Sequence, residues 1–196
     1  MNQDLDANYW QKRYKANQTG WDAGAITPPL KNYFDQLPDK SLRILIPGCG
    51  NAYEAEYLHA QGFGQVYLAD VAPAPLQHFA LRVPGFPKEH LLLQDFFSLQ
   101  GTYDLIVEQT FFCALQPELR TAYADKCAEL LASGGKLIGL LFDTTFGREG
   151  PPFGGSRAEY RTYFAPYFNF KHFETAYNSI KPRQGQELFV LLERKS

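Results

Sequence analysis

Residues 42–61 read LRILIPGCGNAYEAEYLHAQ, and this stretch decides the fold. The run from Leu42 to Pro47 is short and apolar except at Arg43, and Gly48-Cys49-Gly50 ends it. That pattern predicts a strand buried on both faces and then a tight turn. Residues 51–61 have helical character, and QGFG at 61–64 stops them. A buried strand that passes through a glycine turn into a helix is the repeating unit of a parallel sheet covered by helices.

The alternation continues outward. QVYLADV (65–71) reads as the next strand, and PAPLQHFALR (73–82) as a helix with proline in its first turn. HLLLQDF (90–96) and YDLIVEQ (103–109) are further apolar runs, each carrying an acidic residue near its end. Residues 117–133 form the clearest helix, with Leu119, Tyr123, Cys127, Leu130 and Leu131 near helical spacing, and a Gly134-Gly135 turn follows. KLIGLLF (136–142) is again a strand. FKHFETAYN (170–178) and QELFVLLER (186–194) are separated only by SIKPRQG, too short for a crossover helix, so an antiparallel hairpin is expected at one edge of a mixed sheet. Residues 1–40 are mixed in character, with a short amphipathic helix at Tyr9–Tyr14 and a turn-rich stretch at 19–29. GREGPPFGGS (147–156) reads as a loop above the sheet.

Composition bounds the function. At 196 residues the chain fits a single domain, given roughly 150 residues per domain. With 19 basic against 21 acidic side chains and a net charge of −2, it lacks the basic stripe a nucleic-acid partner requires. Cys49, Cys113 and Cys127 include no CxxC pair and read as buried thiols in a reducing, cytoplasmic compartment. The histidines at 59, 78, 90 and 172 lack metal-ligand spacing, so no metal is expected. MNQDLDANYWQKRY has neither the basic nor the apolar region of a secretory signal, and no apolar run approaches 18 residues, so no membrane role is expected. Aromatic residues make up 15%, enough to wall a pocket as well as fill a core.

The polar residues that stand out fall at strand ends, where open α/β sheets bind ligands. Gly48, Cys49 and Gly50 let backbone amides approach a ligand. Asp70, 20 residues after Gly50, is placed to accept bonds from ribose hydroxyls. Asp95 with Phe96 suits an adenine ring, and Glu108 suits the cationic part of a ligand or neighbouring amides. Both NAD and S-adenosylmethionine contain adenosine. The first turn reads GCGNAY, with Tyr53 where a dinucleotide fingerprint has its third glycine, which counts against NAD.

With these features the chain resembles the class I S-adenosylmethionine-dependent methyltransferases, and within them the thiopurine methyltransferase superfamily in its thiol and halide branch. The resemblance runs from about Tyr9 to Lys195. It rests on Trp10, TGWDAGAITPPL, LIPGCGNAYEAEYL, LAD, QDFF, the stretch EQTFFCALQPELRTAYADKCAELLASGGKLIGLLF, GPPFGG and KPRQGQE. It implies an α/β fold: a Rossmann-like seven-stranded mixed sheet with helices on both faces and a C-terminal antiparallel hairpin. It also implies S-adenosylmethionine as cofactor, without a metal. Residues 1–40 would cover cofactor and substrate, and 41–196 would form the core.

By the same resemblance Trp10 and Trp21 lie over the cofactor, the Gly48-Cys49-Gly50 turn approaches its amino-acid portion, Asp70 holds the ribose, and Asp95 and Phe96 meet the adenine. Glu108 stands where the halide branch commonly has aspartate and would approach the methionine end. The GPPFGG loop and Arg183 would border the acceptor. Arg148, Arg157 and Arg183 are candidates for drawing in an anion, Tyr160 for donating a hydrogen bond, and Phe111, Phe112 and Phe153 for a dry wall. No residue is assigned as general acid or base. The expected activity is methyl transfer to a small thiol, bisulfide or halide by a monomer with no obligate protein partner. Methylation of a thiopurine, or nucleoside binding without turnover, are the alternatives.

Overall fold

The computed structural model describes residues 5–196, so the first four residues of the 1–40 segment lie outside the described part. Seven strands form one sheet: β1 (Ile44–Pro47), β2 (Val66–Asp70), β3 (Leu91–Leu93), β4 (Tyr103–Gln109), β5 (Leu131–Phe142), β6 (Phe168–Thr175) and β7 (Glu187–Arg194). Their order is β3-β2-β1-β4-β5-β7-β6. The first five run parallel, and β7 is inserted antiparallel between β5 and β6. The expected hairpin is therefore present as β6–β7.

Six helices accompany the strands: α1 (Ala7–Lys15), α2 (Pro28–Phe34), α3 (Tyr53–Ala60), α4 (Pro73–Arg82), α5 (Arg120–Leu130) and α6 (Arg157–Phe164). Successive residues of β1 serve opposite faces, as strand geometry requires. Leu45 joins a core with Tyr123 and Leu130 of α5 and Phe164 of α6. Ile44 and Ile46 join a second core with Leu30 of α2, Leu58 of α3 and Phe79 of α4. A small third cluster holds Tyr14, Ala72 and Ala74, with Trp10 and Trp21 packed on it.

Some local expectations need correction. Helix α2 was not anticipated in the turn-rich N-terminal stretch; Thr27 precedes two prolines, a favourable helix start. The helix expected over 117–133 divides into a 3₁₀ turn, Pro117–Leu119, and α5. It stops at Leu130 because Leu131 is already extended and paired with Tyr103. Gly134 and Gly135 thus lie within β5, where the register to β4 slips. Strand β3 keeps only Leu91–Leu93, since the Asp95 carboxylate accepts from Phe97 N and starts a new 3₁₀ turn.

The β4–β5 contact is unusually close. A Cβ on Gly139 would lie 2.3 Å from the Glu108 carbonyl oxygen, closer than real Cβ atoms come. Gly139→Ala is expected to cost about 1–3 kcal/mol, as over-packing does, seen as a lower urea midpoint with unchanged slope. Parental stability in that variant would mean the two strands separate without strain.

Candidate functional site

The strand order reverses between β1 and β4, and ligands of open α/β sheets bind beyond the strand ends at such a point. A cavity of about 480 Å³ lies there. Its floor is the turn after β1, in which Gly48 (φ 54°) and Gly50 (φ 53°) take left-handed conformations that glycine adopts without strain. The ring of Phe111 packs so closely that a Cβ on Gly48 would lie 2.2 Å from it. On the other side the Tyr14 hydroxyl would sit 3.2 Å from a Cβ on Gly50. The Cys49 amide donates to the Ala69 carbonyl and the Gly50 amide to Asp70, so the turn is fastened to β2 while its glycines keep the cavity floor free of their own side chains.

Asp70 closes β2 beside this turn. Its Oδ1 accepts from Ala72 N at 2.9 Å and its Oδ2 from Gly50 N at 3.4 Å, which leaves acceptor capacity toward the cavity. Burial pushes its carboxyl up to about 6. Glu54, in the first turn of α3, also lines the cavity; it is 5% exposed and is pushed by burial to about 7.

The cover comes from α1 and the loop after it. Trp10 and Trp21 meet edge to face at 5.5 Å, and Tyr14 meets Trp21 at 5.7 Å. Polar latches fasten this layer. Gln11 Oε1 accepts from Ala74 N at the start of α4, Asn51 Nδ2 donates to Asp22, and Arg183 donates to the Trp21 carbonyl. The opposite wall follows β4: Gln109, Thr110 and Phe111, then Cys113, with Pro151 and Pro152 near it. Thr110 has φ 61°, a strained conformation for a β-branched residue and one found disproportionately at functional sites.

Trp10, Trp21, Gly48, Cys49, Gly50, Asp70 and Phe96 from the sequence reading are brought together around this cavity, as is Phe111. The others lie elsewhere. Glu108 turns into the core: Oε1 accepts from Phe111 N (2.8 Å) and Phe112 N (2.9 Å), and Oε2 from the Tyr123 hydroxyl (2.6 Å). It is 1% exposed, so the expectation that it reaches a ligand's cationic end gives way to a structural role. Asp95 is exposed and does not line the cavity; its Oδ1 accepts from Phe97 N. Phe112 is buried against Tyr123, Tyr160 and Phe164. Tyr160 donates to the Phe142 carbonyl at 2.6 Å. Arg183 is buried, bridging Glu187 and the Trp21 carbonyl. Arg148 and Phe153 line a separate, shallower groove, and Arg157 pairs with Glu174 at the surface.

Sequence reasoning passed over Arg13, Tyr14, Glu54, Gln109, Thr110 and Cys113, all of which line the cavity. Glu54 had a usable signal, since it follows Gly50 by four residues and so falls on the first helical turn after the strand.

Solved structures of methyltransferases share this fold. The 1,6-didemethyltoxoflavin-N1-methyltransferase from Burkholderia thailandensis superposes with a TM-score of 0.77 at 16% identity, covering 97% of this chain and 87% of its own. TehB from Haemophilus influenzae gives 0.65 at 18% identity, covering 97% and 67%. The likeness to these structures shows a fold that methyltransferases share. The family model for thiopurine S-methyltransferase matches residues 5–194, and the chain belongs to that family. Similar proteins include a probable thiol methyltransferase 2 from Arabidopsis thaliana, 30% identical over 91% of this chain and 81% of its own length. A thiopurine S-methyltransferase from Vibrio cholerae is 30% identical over 81% of each chain. The protein is an S-adenosylmethionine-dependent methyltransferase. Among the described residues, no helix is long and apolar enough to cross a membrane, and no trio of His, Cys, Asp or Glu is placed to hold a metal.

Burial lifts the folded-state value of Glu108 from the ordinary 4.5 to about 7. Between those values the folded chain holds more protons than the unfolded one. The contribution of Glu108 to stability is therefore complete below pH 4.5 and is lost as pH rises toward 7. Glu108→Gln preserves the shape without the charge. It should flatten the fall in urea-unfolding free energy across that window, and an unaltered pH profile would show that Glu108 does not titrate there.

Proposed function

We propose that the protein methylates the sulfur of a small thiol or bisulfide, with a halide as a second acceptable nucleophile. One observation carries this reading: along the β4 side, the described cavity wall is uncharged, formed by Gln109, Thr110, Phe111, Cys113, Pro151 and Pro152 among others. Such a wall strips water from a soft nucleophile without supplying an acid or base. The names of the thiol and thiopurine methyltransferase relatives support the same acceptor class.

When bound, S-adenosylmethionine supplies a methyl group already activated on a sulfonium. The residues around the cavity fit its parts. Asp70 would accept from the ribose hydroxyls, Phe96 would meet the adenine, the Gly48–Gly50 turn would border the amino-acid portion, and Glu54 would take the ammonium group. The faces of Trp10 and Trp21 favour the sulfonium by cation–π attraction and exclude water above it. Among the described residues, α1 and the loop after it would act as the cover and 41–196 as the core, in one unit. Displacement requires alignment of nucleophile, carbon and leaving sulfur, so positioning carries most of the rate gain.

A thiol near its ordinary pKa is a few per cent ionised at pH 7, enough to react without an enzymic base. For an alkyl thiol, kcat/KM should rise about tenfold per pH unit below the thiol's own pKa, while the rate with iodide stays level. An iodide rate that follows the thiol profile would point to an ionising enzyme group instead. No release of S-adenosylhomocysteine with bisulfide, alkyl or aromatic thiols, thiopurines, thiocyanate or iodide would overturn the acceptor assignment. Calorimetry should show Asp70→Ala weakening S-adenosylhomocysteine at least about tenfold, the scale of one charge-assisted hydrogen bond. Equal affinity would remove Asp70 from the ribose.

A further inference from the structure

Arg13 lines the cavity from the cover, one helical turn beyond Trp10. Its guanidinium lies over the Trp21 ring at 5.7 Å and the Tyr9 ring at 5.9 Å. Its Nε is buried without a hydrogen-bond partner. Buried donors are nearly always satisfied, and one left open at a cavity calls for an explanation. The neighbouring carboxylates do not provide it. Asp6 accepts from Tyr9 N, while Asp22 accepts from Gly24 N through one oxygen and from Asn51 and the Tyr53 hydroxyl through the other. Among the described residues Arg13 forms no ion pair.

We infer that Arg13 recognises a carboxylate of a small molecule bound in this cavity, using the planar fork that matches a carboxylate with two parallel hydrogen bonds. Guanidinium is suited to this task because it is weakly hydrated and remains charged while stacked on aromatic rings. Two sources share the chemistry: the amino-acid carboxylate of the methyl donor, and a carboxylate on the acceptor. Either would join the ligand to the cover itself, because Arg13 and its stacking partners Tyr9 and Trp21 all belong to the segment above the cavity. Binding would then complete the cover as well as fill the site.

This inference rests on the methyl-donor reading above, and the test separates the two. Binding of S-adenosylhomocysteine and of 5′-methylthioadenosine, which keeps the nucleoside and thioether but has no amino acid, is measured by calorimetry for the parent chain, Arg13→Met and Arg13→Lys. If the donor supplies the carboxylate, Arg13→Met weakens S-adenosylhomocysteine at least tenfold, leaves methylthioadenosine within twofold, and Arg13→Lys recovers part of the loss. If the acceptor supplies it, both affinities hold. In that case kcat/KM for a carboxylate-bearing aromatic thiol falls at least tenfold in Arg13→Met, while that for its methyl ester does not. Equal weakening of both nucleosides would assign Arg13 to packing of the cover and overturn the inference, as would no change in either arm. A parent chain that binds neither nucleoside overturns the donor reading and this inference together; parent binding that Arg13→Met leaves intact in both arms overturns only the role of Arg13.

Discussion

The contact between the turn after β1 and the turn after β4 is the constraint on which the site depends. Gly48 and Phe111 approach so closely that no side chain fits at position 48. Phe111 can be held there because the Glu108 carboxylate captures its amide and that of Phe112. Glu108 in turn lies against β5 at Gly139, where a Cβ would collide with the Glu108 backbone. Two glycines far apart in sequence thus clear space for one carboxylate and one ring. The strained Thr110 lies between those two groups, and the surrounding hydrogen bonds over-determine its conformation. A rigid wall facing the β1 turn is the outcome, and catalysis by alignment needs that rigidity.

Three buried carboxyls surround this contact, and burial pushes each above its ordinary range. Their geometry separates their work. The oxygens of Glu108 are engaged by two amides and a tyrosine, so this group organises backbone. Asp70 has a long, weak contact with Gly50 and capacity to spare. Glu54 opens on the cavity. A ligand carrying hydroxyls and an ammonium group would satisfy the latter two and offset the cost of desolvating them.

Much of this was legible in the sequence because it is local. The apolar run into Gly48, the carboxylate ending β2 and the prolines opening α4 each depend on neighbours a few residues away. Glu108 was misjudged because it looks like Asp70: both are acids at the end of a buried strand. What separates them is the chain that follows. After Glu108 comes a 3₁₀ turn whose amides bend back to the carboxylate, and Tyr123 arrives from α5, 15 residues on. Phe112, Tyr160 and Arg183 were misread for a related reason. Aromatic and cationic residues near a glycine loop suit a pocket or a core equally; contacts with Tyr123 of α5 and Phe164 of α6 assign Phe112 to the interior, and bonds to Glu187 and the Trp21 carbonyl assign Arg183. Arg13 carried no signal, since an arginine on an amphipathic helix reads as solvated surface until its stacking rings are located.

The cover differs physically from the body it rests on. The two large cores bury whole rows of aliphatic and aromatic side chains on either face of the sheet. The cover's own cluster holds only Tyr14, Ala72 and Ala74 as buried members, with both tryptophans partly exposed. Its latches are few, and the Asn51–Asp22 bond is exposed to water. Regions with little buried apolar area and solvent-accessible hydrogen bonds open at lower free energy than the global fold. The α1 layer is thus held to the strand ends by far less buried apolar area than holds the other helices to the sheet. Trp21 is the common contact within it, with Trp10 at its edge and the Arg13 guanidinium over its ring. Binding energy from the remote parts of a ligand is thereby available for excluding water at the reacting centre, where a small sulfur nucleophile benefits most.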